Sequence, residues 1–527
     1  MRKLLLVALA LGVIALGYHG FGEIQESREI GPARDAVLAM QTDTNAPASQ
    51  TGQVTLPESP PNIVIIVADD LGWRDVGYNF SEIRTPNIDR LAAAGLTLNR
   101  FYVHPSCSPT RAALMTGKSP MRLGILNPLS KNNPTGLPIE EPTLADYLKA
   151  VGYQTALTGK WHLGPRNLAY HPNNRGFDHF YGHLTGGVGY YDKVHGGGYD
   201  WQRNGKTVRN GRYSTHLVAD EAVRFINARD SEGPFFLYAA FGAPHLPNEA
   251  PEASIESYKS IADTNRRIHA AMVSELDSAI GRIHDALIAQ GIEQETLIWF
   301  MSDNGGLYPY NPARYLPDPL FSWAAASMLG VEMTPEFASF LRTNLNDGGA
   351  DNRPFASGKQ SVQEGGVRVP SFIYWPGQIE ADAYNFMATV QDIVPTLLEI
   401  TGGSAIGTAF DGRSLWPSLQ SNTAPAPKEY IVATRVSSEA DAVYLYPYKL
   451  IEQGGDQRLY DLENDPLETT DIAAREPDIV ADLSDYLATF PRGKNVAVPL
   501  QQVVNDPDFF GGEEDRKPWA EQAYASE

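Results

Sequence analysis

The sequence of 527 residues contains a single cysteine, Cys107. One thiol cannot close an internal disulfide, nor can it build a cysteine-based zinc site. Cationic charge is also in short supply. Lys and Arg number 42 against 63 Asp and Glu, a formal net charge of −21. Such a chain has no excess of cations to displace phosphate counterions, which excludes DNA or RNA as the main partner. A bilayer-length apolar run is missing too: Leu4–Leu16 falls short of the roughly 20 residues a spanning helix needs. No internal repeat, coiled coil or basic low-complexity tract is present. Hydrophobic residues nonetheless make up 43%, enough for a sizeable core. At about 100–200 residues per domain, the length predicts two to four domains, or one large α/β domain with an appendage.

Residues 1–20 begin Met1-Arg2-Lys3 and continue into that short apolar run, the pattern of a secretory signal. They predict an exported protein, periplasmic or secreted. No clean small-x-small cleavage site follows, so an uncleaved N-terminal anchor stays open as the one route to a stable membrane partner. Residues 21–60 are mixed and polar, end in Pro57, Pro60 and Pro61, and read as a spacer without its own core.

Beyond the spacer, apolar runs stop repeatedly at polar residues. Asn62–Ala68 is a buried-strand pattern that ends at Asp69-Asp70. Tyr153–Leu157 runs into Thr158-Gly159-Lys160-Trp161-His162. Phe235–Ala240 leads to Gly242-Ala243-Pro244-His245, and Thr296–Met301 to Ser302-Asp303-Asn304-Gly305-Gly306. Helical patterns lie between them. Thr143 and Asp146 predict a capped short helix ending near Gly152. Ile268, Met272, Leu276, Ile280, Ile283 and Leu287 recur at helical spacing and predict an amphipathic helix over 267–290. This alternation predicts an α/β fold: a large, mostly parallel sheet covered by helices on both faces. Ligands bind such sheets beyond the carboxyl ends of the strands. Asp-Asp after a strand is usually a turn or cap, and Asp-Asn-Gly-Gly usually a turn. Four strands delivering carboxylates, a lysine and histidines to one edge is the less ordinary observation.

Cys107 lies in His104-Pro105-Ser106-Cys107-Ser108-Pro109-Thr110-Arg111. Ser108 followed by Pro109 predicts a helix start, with position 107 at the positive end of the dipole and Arg111 about one turn in. A lone cysteine is most often a small buried hydrophobe. A thiolate phosphatase wants arginine six residues after its cysteine, and Ala113 stands there instead. The third reading is a resemblance. Cys107-Ser108-Pro109-Thr110-Arg111 resembles the Cys-x-Pro-x-Arg maturation signature of the type I (formylglycine-dependent) sulfatases of the alkaline-phosphatase-like superfamily. Further segments match that family in order. They are Ala68–Gly72, Thr85–Leu91, Thr158–Gly164, Ser302–Gly306, Gly358-Lys359 with Glu364–Pro370, and Asp411–Leu415. Residues 63–76 and 175–178 are most similar to arylsulfatase B-like, N-acetylgalactosamine-4-sulfatase-like enzymes.

The resemblance implies hydrolysis of a sulfuric ester, in a sulfated carbohydrate or an aryl sulfate. It implies that a maturation enzyme oxidises Cys107 to formylglycine, whose hydrate is the nucleophile. Asp69, Asp70, Asp303, Asn304 and the modified Cys107 would hold one divalent cation. This oxygen-rich set suits Ca2+, with Mg2+ the runner-up. Lys160 and Lys359 would bind sulfate oxygens and Arg111 the formylglycine hydroxyl. His245, with Lys359, would protonate the leaving oxygen, and His162 would act as the base that releases sulfate. His104, His171, His179 and His183 read as structural residues. A phosphonate monoester or phosphodiester hydrolase, and a non-catalytic glycan-binding relative, are the open alternatives.

Residues 61–421 are expected to form the catalytic domain and 422–495 a smaller antiparallel sheet with a helix, followed by a patternless tail over 496–527. The stretch 307–353 is expected to wall the cleft and help choose the substrate. Residues 182–201, rich in Gly and Tyr, suit either sugar stacking or an ordinary surface loop.

Overall fold

A computed structural model of the chain describes residues 56–129, 133–195, 198–229, 233–307, 348–403, 409–425, 431–433, 440–491 and 518–522, with Asp35 and Val37. The signal-like segment, most of the 307–353 stretch and most of the tail lie outside the described residues. Among the described residues, no helix is long and apolar enough to cross a membrane.

Ten strands form the large sheet. Its centre is parallel: Thr296–Ser302, Asn62–Ala68, Phe235–Ala240, Gln154–Lys160 and His179–His183 lie side by side in that order. Ser371–Tyr374 and Gln202–Arg203 join the two sides antiparallel. The sheet is therefore mixed, with its parallel part where the motifs sit.

Alternation along Asn62–Ala68 feeds two cores. Ile63, Ile65 and Val67 face one layer, where helices Cys107–Thr116, Leu144–Ala150 and Ile393–Thr401 pack. Val64, Ile66 and Ala68 face the other, against Ser214–Ala228 and Thr264–Ala289. The predicted stripe from Ile268 to Leu287 packs there, with all but Ile268 fully buried. Each large apolar side chain buried this way contributes about 1.5–3 kcal/mol. Helix Leu144–Ala150 carries the expected capping box from Thr143 and Asp146. The strand expected over 153–157 extends to Lys160, so the lysine is part of the sheet edge rather than of the loop beyond it.

The smaller sheet is antiparallel, in the order Ile431–Ala433, Ala440–Leu445, Tyr448–Gln453, Asp456–Asp461. Val443, Leu450 and Leu459 pack on helix Pro477–Ala488, while Ala442, Tyr444 and Ile451 pack toward Tyr102, Val362 and Val367. Lys449, fully buried, pairs with Glu364 at 3.0 Å and Glu468 at 2.6 Å. That pairing joins the small sheet to the segment following Lys359.

Two details depart from expectation. Val37, in the supposed spacer, is buried against Trp73 and Phe355. The supposedly patternless tail contains the short helix Trp519–Gln522, and Trp519 is buried and donates to the His195 carbonyl at 3.1 Å.

Candidate active site

Parallel pairing brings the four polar strand ends to one edge, because neighbouring strands run out in the same direction. Asp69 and Asp70 follow Ala68, and Asp303 and Asn304 follow Ser302 on the adjacent strand. Gly159 lets the next chain come close: a Cβ there would lie 1.9 Å from the Ala240 carbonyl oxygen, at a φ of +107°. Asp70 and His162 sit in the left-handed region, at φ +64° and +58°. Such backbone costs a non-glycine residue about 1–3 kcal/mol and is held only where the surroundings over-determine it.

Cys107 opens the helix Cys107–Thr116, two residues earlier than the sequence suggests. Ser106 is the capping residue, without a side-chain cap bond. Ser108 does different work: its hydroxyl donates to the His162 carbonyl at 2.9 Å and accepts from the Leu129 N–H at 2.9 Å. It thereby ties the Cys107 helix to the His162 turn.

The charged groups pair tightly. Arg111 donates to Asp303 Oδ2 from Nε and Nη2, at 3.0 and 2.8 Å. Its Nη1 reaches the Lys160 carbonyl and the Tyr238 hydroxyl oxygen at 3.1 and 3.3 Å. Lys160 Nζ lies 2.6 Å from Asp69 Oδ2, and Lys359 Nζ 2.8 Å from Asp70 Oδ2. Asn304 Nδ2 donates to Asp70 Oδ1 at 2.7 Å, and the Asp70 N–H to Asp303 Oδ1 at 3.2 Å. His245 Nε2 stands 3.7 Å from Asp70 Oδ2. Three carboxylates thus face three cations. Two oxygens are left over: Asp69 Oδ1 and Asn304 Oδ1 are buried without a hydrogen-bond partner. Buried acceptors without donors are rare and costly, and a cation satisfies them.

One ligand atom each from Asp69, Asp70, Cys107 and His245 falls within 4.8 Å of the others. Asp303 and Asn304, expected beside them as ligands, join through the hydrogen bonds above. His245, expected as an acid and a substrate-binding residue, stands among the possible ligands. Every sequence-predicted site residue is thus linked to this edge. The four histidines read from the sequence as structural have such partners: His104 meets Gln391, His171 the Pro165 carbonyl, His179 Glu221 and His183 the Thr185 carbonyl.

Burial and neighbouring charge set the protonation states. Burial, then the Asp69 charge, pushes Asp303 up to about 6. Burial also opposes ionisation of Asp70, but Lys359 and His245 hold its carboxyl well below the usual range. Burial pushes the Cys107 thiol up to about 11, against the pull of Lys160 and Lys359. Burial, then Lys160 and Arg111, keeps His162 neutral. Its Nε2–H is directed at the Leu129 carbonyl, 3.1 Å away, which leaves Nδ1 as a buried lone pair without a partner. Burial and then Lys359 lower His245 to about 3, while its Nδ1–H donates to the Leu246 carbonyl at 2.7 Å.

With this geometry in view, the sulfatase family model matches residues 61–403. The chain belongs to the sulfatase family. The sequence is 32% identical over 420 residues to mouse arylsulfatase J, covering 78% of this chain and 62% of that one. It is 34% identical over 385 residues to mouse N-acetylgalactosamine-6-sulfatase, covering 68% and 66%. The chain therefore spans about two thirds of the length of these relatives. Among solved structures, Ps i-CgsB superposes with a TM-score of 0.71 at 31% identity, covering 82% of this sulfatase and 93% of that chain. The same protein has been solved in complex with k-i-k-neocarrahexaose.

Sequence reasoning missed several parts of the sulfatase site. Tyr238, which supports Arg111, is hidden inside an ordinary apolar strand run. The Leu129 carbonyl holds His162 through backbone alone, which no side-chain motif announces. Two aromatics of the 182–201 segment face inward: Trp201 is buried and stacks on His183, and Tyr190 is buried on Tyr213. Those two aromatics are unavailable for sugar stacking.

Proposed function

We propose that the protein hydrolyses sulfuric esters, and that its substrate is a sulfated carbohydrate or an aryl sulfate. One observation carries the reading: Cys107 at a helix start, buried among three cations and carboxylates with oxygens to spare. A neutral thiol in that place is a poor nucleophile, and the aldehyde hydrate made from it by a maturation enzyme is the group the surroundings suit. The identity to Ps i-CgsB, solved with an oligosaccharide, and to an N-acetylgalactosamine-6-sulfatase supports a carbohydrate ester. Export through residues 1–20 belongs to the same reading.

Asp69, Asp70, Asp303, Asn304 and the oxidised residue 107 would hold one divalent cation, Ca2+ before Mg2+. Bound there, it would supply Lewis-acid polarisation of a sulfate oxygen. The unmet oxygens of Asp69 and Asn304 fit that group. Lys160 and Lys359 hold the other sulfate oxygens, exchanging their carboxylate partners for the ester as it binds. Arg111, clamped by Asp303, orients the hydroxyl of residue 107 for attack on sulfur.

As the sulfur–oxygen bond to the leaving group breaks, that oxygen needs a proton. His245 and Lys359 meet at one Asp70 oxygen and deliver it. The ester's negative charge moves His245 toward its protonated form. His162 Nδ1 then takes the proton of the second hydroxyl, the carbon–oxygen bond to sulfate breaks, and the aldehyde returns. Water re-adds to it, so the balance is ester plus water giving alcohol plus sulfate and a proton.

Intact mass tests the first step. Residue 107 in active protein should be lighter than cysteine by about 18 Da, the loss of cysteine's sulfur for oxygen with two hydrogens. Cys107→Ala should abolish turnover, by about 10⁴-fold or more. Full activity with an unmodified thiol, or phosphonate and phosphodiester monoanions turned over faster than sulfate esters, refutes the proposal.

A further inference from the structure

The segment from Leu184 to Lys193 lies against both histidines through bare backbone. A Cβ on Gly186 would come within 2.8 Å of Cε1 and Nε2 of His162. One on Gly187 would come within 3.1 Å of Cε1 and Nδ1 of His245. Two successive residues therefore wall two different rings, the first at a distance no Cβ adopts and the second so close that a Cβ would push on the ring.

The wall is anchored on the side away from the chemistry. Asp200 accepts from the Leu184 and Thr185 N–H groups and from the Thr185 hydroxyl, the last at 2.6 Å. Lys193, buried and at φ +59°, gives its three protons to the carbonyls of Tyr190, Tyr191 and Arg212, at 2.7, 3.0 and 2.6 Å. Tyr190 is the link to His245. Its ring stacks on Tyr213 with centroids 5.0 Å apart, its N–H donates to Glu249, and its hydroxyl lies 2.8 Å from the Gly242 carbonyl and 2.9 Å from that of His245. His245 is thus held at its backbone by Tyr190, at its ring face by Gly187, and at Nδ1 by the Leu246 carbonyl. None of these three contacts comes from a group that touches substrate in the mechanism above, so the place of its Nε2 is set from behind.

We propose that Tyr190 and Gly187 are positioning residues for His245, and that through it they determine how well the enzyme hydrolyses esters of poor leaving groups. The inference rests on His245 being a proton donor to the leaving oxygen. A sugar alkoxide is far more basic than a nitrophenolate, so it needs that proton and the nitrophenolate does not. A misplaced donor therefore penalises one ester and spares the other. Displacement by about 1 Å can cost a hundredfold in such a step.

The test compares a sulfated sugar with 4-nitrophenyl sulfate in the mature enzyme, using Tyr190→Phe, Gly187→Ala and His245→Ala. Tyr190→Phe keeps the ring stack and removes only the hydroxyl, while Gly187→Ala presses on the ring beside its bond to the Leu246 carbonyl and leaves the Tyr190 hydroxyl in place. Both should lower kcat on the sugar sulfate by about 10–100-fold, with kcat on the aryl sulfate within about threefold and both KM values nearly unchanged. His245→Ala should show the same selectivity, more strongly. Equal losses on the two esters from Tyr190→Phe and Gly187→Ala, or no loss on either, overturn the positioning role while the donor role stands on His245→Ala. If His245→Ala itself fails to discriminate between the esters, the donor assignment falls and takes this inference with it.

Discussion

Two buried charge clusters lie on either side of the turn after Asp70, and they fail to close their hydrogen bonds in opposite ways. At Asp75 both carboxylate oxygens are fully engaged. Oδ1 accepts from Arg266 and the Asp351 N–H, and Oδ2 from the Gly72 N–H and His269. Arg266 and His269 hold its carboxyl well below the usual range although burial opposes the charge. The atoms left without partners there are nitrogens, Arg266 Nη2 and His269 Nδ1. At the active site the unpartnered atoms include the oxygens of Asp69 and Asn304. Equal burial and similar residue types therefore give one cluster whose carboxylate oxygens are already satisfied and one whose oxygens are short of a positive centre. The sign of the unmet group, more than the count of acidic residues, separates a structural ion network from a cation site.

Substitution at the two carboxylates breaks the comparison most sharply. Asp75→Asn should destabilise the fold by about 3–5 kcal/mol, since it removes the buried counter-charge of Arg266 and leaves only the more exposed Glu82 beside it. Added Ca2+ should not restore the difference. Asp303→Asn should instead weaken Ca2+ binding, read by calorimetry, with a smaller loss of stability. The same response to Ca2+ in both variants would erase the distinction.

A third buried carboxylate sharpens it. Asp200 receives only neutral donors, from Leu184 and Thr185, and burial pushes it up to about 6 despite them. Its folded value exceeds the ordinary 3.8, so the folded protein binds more protons and loses stability as pH rises from about 4 to about 6. The shift corresponds to about 3 kcal/mol. The stability of wild type relative to Asp200→Asn should fall by that order over this window and stay level above it. Denaturant titrations at pH 4 and 7 measure the change, and a flat difference contradicts it.

The smallest effect concerns the cation alone. At a hundred times its dissociation constant, Ca2+ should stabilise the protein by about 2.7 kcal/mol. The rise in Tm should vanish on chelation and be absent in Asp69→Asn. Mg2+ should produce less.

Much of this was legible in the sequence because the parallel centre of the sheet obeys local rules. Asn62–Ala68 and Phe235–Ala240 have the bounds their apolar runs predict, and the Asp, Lys and His residues lie where those runs stop. Asp69, Asp303, Lys160 and His245 could be brought together on paper because strand topology does the assembling. The helix start at Cys107 could not be read correctly, because the Ser108 hydroxyl is engaged by His162 and Leu129, far along the chain. Nor could the inward packing of Tyr190 and Trp201 in the 182–201 segment. Its Gly and Tyr content is the same for a surface loop and for a wall packed on two histidines, and only the long-range bonds of Asp200, Lys193 and Tyr190 decide between them.

The burial of Cys107 has a consequence for timing. In the folded chain it is 1% exposed, at the start of a helix and among Arg111, Lys160 and Lys359. On the proposed function, an oxidising enzyme must reach this sulfur before the sheet closes over it. Maturation and folding then compete for the same short interval, and every molecule that folds first is lost to catalysis while remaining indistinguishable in shape.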